Sequence, residues 1–123
     1  MPLHNKILIA DDDDATRDLL SSLLRKEGYE VVQADNGREA VELARKELPA
    51  LVMTDIHMPV MDGLEACKAI KADSLTKTIP VIVLTVDGSI KEIEQAIALG
   101  AVTYITKPSS RAEILKVVKS ILK

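Results

Sequence analysis

The chain has 123 residues, 19 acidic and 16 basic, for a formal charge of −3; one compact domain holds about 100–200 residues, which argues against a second. With 47% apolar residues, 28% charged residues and one cysteine, the composition excludes disorder and an internal disulfide framework, and it fits a reducing, cytoplasmic setting. A net negative charge with no Trp, no Phe and two Tyr excludes the basic footprint of a DNA binder and the stacking platforms of a single-strand binder.

The opening Met1-Pro2-Leu3-His4-Asn5-Lys6 lacks the basic-then-apolar pattern of a signal peptide, and His4 is expected to be disordered with it. No apolar run approaches the ~20 residues of a membrane span, so no membrane insertion is expected. Ile7-Leu8-Ile9-Ala10 reads as a first strand, and Asp11-Asp12-Asp13-Asp14 follow it. Leu19, Leu20, Leu23 and Leu24 share one face of a first helix that Gly28 stops. Val31-Val32 mark a second strand, Asp35-Asn36-Gly37 a turn and helix cap, and Ala40, Val41, Ala44 and Leu48 the apolar face of a second helix. Leu51-Val52-Met53 form a third strand. Asp62 and Gly63 shape a loop into a third helix, from about 64 to 72, on which Cys67 reads as a small core residue beside Leu64 and Ile70. Met53, Met58 and Met61 read as packing residues. Val81-Ile82-Val83-Leu84 make a fourth strand ending at Thr85, with Val86, Asp87 and Gly88 beyond it. Ile90, Ile93 and Ile97 place a fourth helix, stopped by Gly100. A fifth strand runs from Ala101 to Ile105, and Leu115, Val118 and Leu122 mark a last helix.

Short β-branched runs alternating with amphipathic stretches make five β-α units. That pattern predicts one α/β domain over residues 1–123, a doubly wound parallel sheet with helices on both faces and strands buried on both faces. No linker, repeat or low-complexity tract interrupts it.

In an open parallel sheet, ligands bind beyond the carboxyl ends of the strands. Asp11 to Asp14, Asp55, Thr85 and Lys107-Pro108 all fall there. Clustered carboxylates repel one another unless a cation is present, and hard oxygen donors suit Mg²⁺, with Mn²⁺ a second candidate. An Asp beside such an ion can attack phosphorus and form an aspartyl phosphate. The metal and a Lys would then balance charge on the phosphoryl oxygens, and Thr85 would donate to a third oxygen. Within the acidic run Asp14 is expected to cap the first helix, while Asp13 stays open between supporting the site and simple solvation.

The motifs Ile7-Leu8-Ile9-Ala10-Asp11-Asp12-Asp13, Thr54-Asp55-Ile56-His57-Met58-Pro59-Val60-Met61-Asp62-Gly63, Pro80-Val81-Ile82-Val83-Leu84-Thr85 and Gly100-Ala101 through Tyr104 to Lys107-Pro108 stand in this order. With them the chain resembles the receiver domain of two-component response regulators, of the chemotaxis type, over residues 6 to about 122. The resemblance implies a flavodoxin-like sheet of five strands in the order 2-1-3-4-5. It implies that Asp55 accepts a phosphoryl group from a histidine kinase or phosphotransfer protein. Asp11, Asp12, Asp55 and the backbone carbonyl of His57 would bind Mg²⁺. Lys107 would pair with the phosphoryl group, Thr85 would hydrogen-bond it, and Tyr104 would swing inward as Thr85 moves. That motion would alter the face of the fourth helix, fifth strand and fifth helix, where a downstream protein docks. The Lys107-Pro108 bond would be cis. Catalysis would be limited to the chain's own phosphorylation and dephosphorylation.

The pattern departs from the family at a few positions. Val86 stands where a smaller residue is usual, beside the path of attacking water, and is expected to slow phosphate loss. His57, two residues after the acceptor, is expected to face the phosphoryl group or its water, and a rival reading makes its imidazole an extra ligand for a softer ion such as Zn²⁺ or Mn²⁺. Val102-Thr103 replace an acidic pair that supports dimers of DNA-binding regulators, so a stand-alone receiver, monomer or weak dimer, with no direct nucleic-acid partner, is expected. Two other classes stay open. Asp12-Asp13-Asp14-Ala15-Thr16 matches the Asp-x-Asp-x-Thr motif of haloacid-dehalogenase phosphatases, although Asp55 would then have no task. A phosphorylation-independent, receiver-like interaction module would normally lack one of the site residues, and none is missing.

Overall fold

The alternation of short apolar runs with amphipathic stretches resolves into strands and helices in the computed structural model, which describes residues 5–86 and 89–122. His4, Asp87 and Gly88 lie outside the described residues. In chain order the elements are β1 (Lys6–Ala10), α1 (Asp14–Lys26), β2 (Glu30–Ala34), α2 (Gly37–Glu47), β3 (Leu51–Asp55), α3 (Gly63–Ala72), β4 (Val81–Thr85), α4 (Ile90–Ala98), β5 (Thr103–Thr106) and α5 (Arg111–Ile121). All strand pairs are parallel, in the order β2-β1-β3-β4-β5, the flavodoxin-like arrangement expected.

Period-two alternation divides the core into two layers. Leu8, Ala10, Val52, Val81 and Val83 point to one face and pack against Ala40, Ala44, Cys67, Ile70 and Ala96 of α2, α3 and α4. Ile7, Ile9, Leu51, Met53, Ile82 and Leu84 point to the other and meet Leu20, Leu24 and Val118 of α1 and α5. Burying such an Ile or Leu fully contributes about 1.5–3 kcal/mol, so the three central strands anchor the molecule and hold their carboxyl ends in register.

The helix starts are set by side chains that accept a backbone N–H of the first turn: Asp13 from Thr16, Asn36 from Glu39, Asp62 from Glu65, Ser89 from Glu92 and Ser110 from Glu113. Asp62 and Glu65 complete a reciprocal capping box. Gly28 and Gly100, with φ of +95° and +109°, stop α1 and α4 in the left-handed region as anticipated.

Several expectations are corrected. Asp13 caps α1, and Asp14 instead lies in the first turn, paired with Arg17. Only the central strands are buried on both faces, because β2 and β5 form the sheet edges and stay partly exposed. Leu19 is exposed, on the lip of a cavity of about 690 Å³ that runs between α1 and α5 past Leu20, Met53, Leu84 and Val86. Leu48 is exposed because it ends α2 in a left-handed conformation and points away from the helix face. On α4 the inward line runs through Ile93, Ala96 and Leu99, at spacing i, i+3, i+6, so Ile90 and Ile97 face outward.

Candidate functional site

Three central strands and one edge strand deliver their chemistry to the same edge of the sheet. Asp11 follows β1, Asp55 closes β3, Thr85 closes β4, and Lys107 follows β5. Register places Asp55 beside Leu84 and Thr85 beside Thr106. Asp11, Asp12 and Asp55 each bring a carboxylate oxygen within 4.8 Å of the others. Asp11, Asp55 and Thr85 are buried, whereas Asp12 is open to solvent. Lys107 Nζ sits 2.9 Å from Asp11 Oδ2 and 3.4 Å from Asp55 Oδ2.

Burial is the largest influence on Asp55 and pushes its pKa above the ordinary carboxylate value, with the neighbouring Asp11 charge acting the same way. Lys107 and the Ile56 N–H, which donates to Asp55 Oδ1 at 2.9 Å, oppose that shift. Burial also works against the charge on Lys107, but its hydrogen bond to Asp11 and the charges of Asp55 and Asp11 hold its pKa above the ordinary lysine value. Two buried carboxylates clamped on one ammonium, with a third carboxylate exposed beside them, form a dense arrangement of hard oxygen donors. Its chemistry fits a divalent cation whose remaining positions face solvent.

The backbone that carries Asp55 is tightly enclosed. A Cβ at Gly63 would lie 1.9 Å from the Asp55 carbonyl oxygen, so only glycine lets α3 begin there, and its N–H donates to the Ile56 carbonyl at 2.7 Å. Between them Val60 holds a φ of +69°, spanned by a Met61 N–H to Pro59 carbonyl bond of 2.7 Å. This is a tight γ-turn that a β-branched residue enters at a cost of about 1–3 kcal/mol. The Lys107-Pro108 bond is cis.

The remaining sequence candidates divide. His57 is exposed, and its Nε2 lies 2.9 Å from Glu92 Oε2 at the start of α4, outside the carboxylate cluster. Tyr104 on edge strand β5 is 42% exposed and turned outward, and Val86 is exposed beside the strand ends. Thr16, the last residue of the phosphatase motif, is occupied at the α1 cap, where its backbone N–H and its hydroxyl both donate to Asp13, a residue at a variable position of that motif.

Sequence reasoning missed Arg17, Ser21 and Gln33. Arg17 Nη1 donates to the Asp11 carbonyl at 2.8 Å, and Gln33 reaches from β2 to Arg17 and to the fully buried Ser21. The available signal was polar: Arg17 and Ser21 are spaced i, i+4 on a helix that is otherwise leucine-rich on its inner side.

Comparison with known proteins places this geometry. The family model described as the response regulator receiver domain matches residues 7–119. The chain is 40% identical over 120 residues to the sporulation initiation phosphotransferase F of Bacillus subtilis, covering 98% of this chain and 95% of that protein. It superposes on the chemotaxis protein CheY4 of Vibrio cholerae with a TM-score of 0.91 at 34% identity, covering 97% of this chain and 99% of that one. It also matches the receiver domain of a sensor histidine kinase from Pseudomonas aeruginosa, with a TM-score of 0.90 at 27% identity, covering 97% and 98%. That structure carries a magnesium ion in its active site cleft. The chain spans about half the length of further curated relatives described as transcriptional regulators. Matched by the family model along most of its length, and by one relative from end to end, this chain belongs to the response regulator receiver domain family, signalling proteins whose general function is to be phosphorylated on an aspartate.

Proposed function

We propose that residues 1–123 act as one receiver unit in which Asp55 is the phosphoryl acceptor. The observation that carries this is the meeting of Asp11, Asp12 and Asp55 within 4.8 Å with Lys107 clamped on two of them. Among the three carboxylates, Asp55 is the one that closes a central strand; it is buried, and its Oδ1 accepts the Ile56 N–H. Its other oxygen, Oδ2, forms an O–P bond as the N–P bond of a phosphohistidine on a kinase or phosphotransfer protein breaks, and the departing imidazole keeps the bonding electron pair. Asp11, Asp12 and Asp55, with the His57 carbonyl, would hold Mg²⁺ or Mn²⁺, which when bound offsets charge on the phosphoryl oxygens. Lys107 leaves Asp11 and pairs with a phosphoryl oxygen, and the Thr85 hydroxyl donates to another. Water attack on phosphorus then reverses the modification, so turnover is confined to the chain's own acyl phosphate.

The signal leaves through α4, β5 and α5. Ile90, Ile97, Val102 and Tyr104 are large apolar or aromatic residues exposed on or next to these elements, a surface suited to a partner protein. Thr85 is buried and directly paired with Thr106 on β5, two residues from Tyr104, so movement of Thr85 toward phosphate is transmitted to the tyrosine. No helix among the described residues is long and apolar enough to cross a membrane, and we place the chain in the cytoplasm as a monomer or weak dimer.

Addition of beryllofluoride with Mg²⁺ tests this reading by NMR. Amide shifts at Thr85 and Tyr104 are expected in the wild type and absent in Asp55→Asn. Shifts that persist in the variant, or none in either protein, would remove Asp55 from the role and leave a phosphorylation-independent interaction module.

A further inference from the structure

We infer that Arg17 is a positioning residue for the acidic pair Asp11 and Asp12, fixing the peptide between them through a network anchored on β2. The inference rests on reading those aspartates as metal ligands. The Arg17 side chain is only 13% exposed although it is charged, and each face of its guanidinium is used. Nη1 donates to the Asp11 carbonyl at 2.8 Å, Nε to Gln33 Oε1 at 3.2 Å, and Nη2 to Asp14 Oδ1 at 2.6 Å. Gln33 Nε2 in turn donates to Ser21 Oγ at 2.8 Å, and that hydroxyl donates to the Arg17 carbonyl at 2.8 Å.

The consequence is local and geometric. The Asp11 N–H is spent on the Ala34 carbonyl, its Oδ1 accepts the Asp13 N–H, and its Oδ2 accepts from Lys107. Its carbonyl is the one remaining polar group, and Arg17 takes it. The Asp11–Asp12 peptide plane is thereby held at its carbonyl oxygen, which orients Asp12, the exposed member of the cluster. Edge strand β2, which contributes no ligand, supports the site through the Gln33 side chain and through the Ala34 carbonyl that accepts the Asp11 N–H. Arginine suits the task because its planar fork serves three acceptors at fixed angles, which a lysine ammonium on a flexible stem does not.

Charge and position make opposite predictions. Removing a cation close to three carboxylates strengthens Mg²⁺ binding if only Coulomb attraction matters. Loss of a group that orients metal ligands weakens binding, roughly 10–100-fold in comparable sites.

The test is calorimetric titration of the full chain with Mg²⁺, joined to amide hydrogen exchange of the metal-free protein. Arg17→Met is expected to bind Mg²⁺ about tenfold or more weakly and to exchange the Asp12 and Asp13 amides faster. Arg17→Lys should recover part of the affinity, and Asp14→Asn, which removes only the exposed ion pair, should match the wild type. A cooperatively folded Arg17→Met with unchanged or tighter Mg²⁺ binding and unchanged exchange would overturn the inference. If Arg17→Met does not fold, Gln33→Met takes its place, with a several-fold loss expected and wild-type affinity the contrary result. Should Asp12→Asn bind Mg²⁺ as well as the wild type, the ligand reading itself fails, and the exchange comparison still decides whether Arg17 holds the loop.

Discussion

Asp55 shows most plainly how a single residue trades stability for chemistry. Burial raises its pKa, so the native state binds a proton more readily than the unfolded chain does. A group with a raised carboxyl pKa favours folding while protonated, below its unfolded value, and loses that contribution as pH rises through its folded value. Near neutral pH, without metal, the ionised Asp55 therefore works against the fold. Asp55→Asn is expected to raise Tm by a few degrees at pH 7, and the gain should fade on acidification toward the ordinary carboxylate range. A Tm gain that stays constant with pH would refute the assignment of burial as the dominant influence. Val86, exposed beside the strand ends, makes a kinetic prediction: Val86→Ala should speed phosphate loss from Asp55, and an unchanged or slower rate removes the shielding role. At this scale the sequence was clear where residue type alone constrains chemistry, as with three aspartates, a threonine and a lysine at strand ends. It was silent on Arg17 and Gln33, because their role depends on which backbone carbonyl lies opposite the guanidinium. It also misplaced the helix cap by one residue, since four identical aspartates offer no local distinction between Asp13 and Asp14.

At the level of elements, strand order and strand limits determine where the chemistry sits, and a glycine determines how closely helix and strand approach. Gly63→Ala would drive a methyl group against the Asp55 carbonyl, and backbone cannot yield as a flexible side chain can. A loss of about 1–3 kcal/mol is expected, read as a lowered denaturation midpoint, together with slower phosphorylation because the β3–α3 connection shifts. Stability within a few tenths of a kcal/mol of wild type would contradict that packing argument. The central strands were legible because β-branched runs bounded by turn residues have few alternatives. Helix facing was less so. On α4 the three isoleucines mark a stripe by spacing, yet small Ala96 is the fully buried residue and Ile90 and Ile97 stand outside. An apolar residue left exposed for a partner follows the same 3.6-residue period as one packed in the core, so periodicity alone cannot separate them.

For the whole molecule, a net charge of −3 is an average over an uneven distribution. Three carboxylates are concentrated at one edge of the sheet, while other ionic groups pair on the surface, as Glu27 does with Arg111 and Lys119. The two-layer core fixes the strand ends at that edge, and on the proposed reading a charge added at Asp55 would be relayed to the outward residues of α4 and β5. The most direct measurement is mass spectrometry of the intact and digested chain after incubation with acetyl phosphate, with and without Mg²⁺. One phosphoryl group per chain, on the peptide containing Asp55, dependent on Mg²⁺ and absent in Asp55→Asn, is the predicted result. A phosphoryl group on another residue, or none under any condition, would contradict the account.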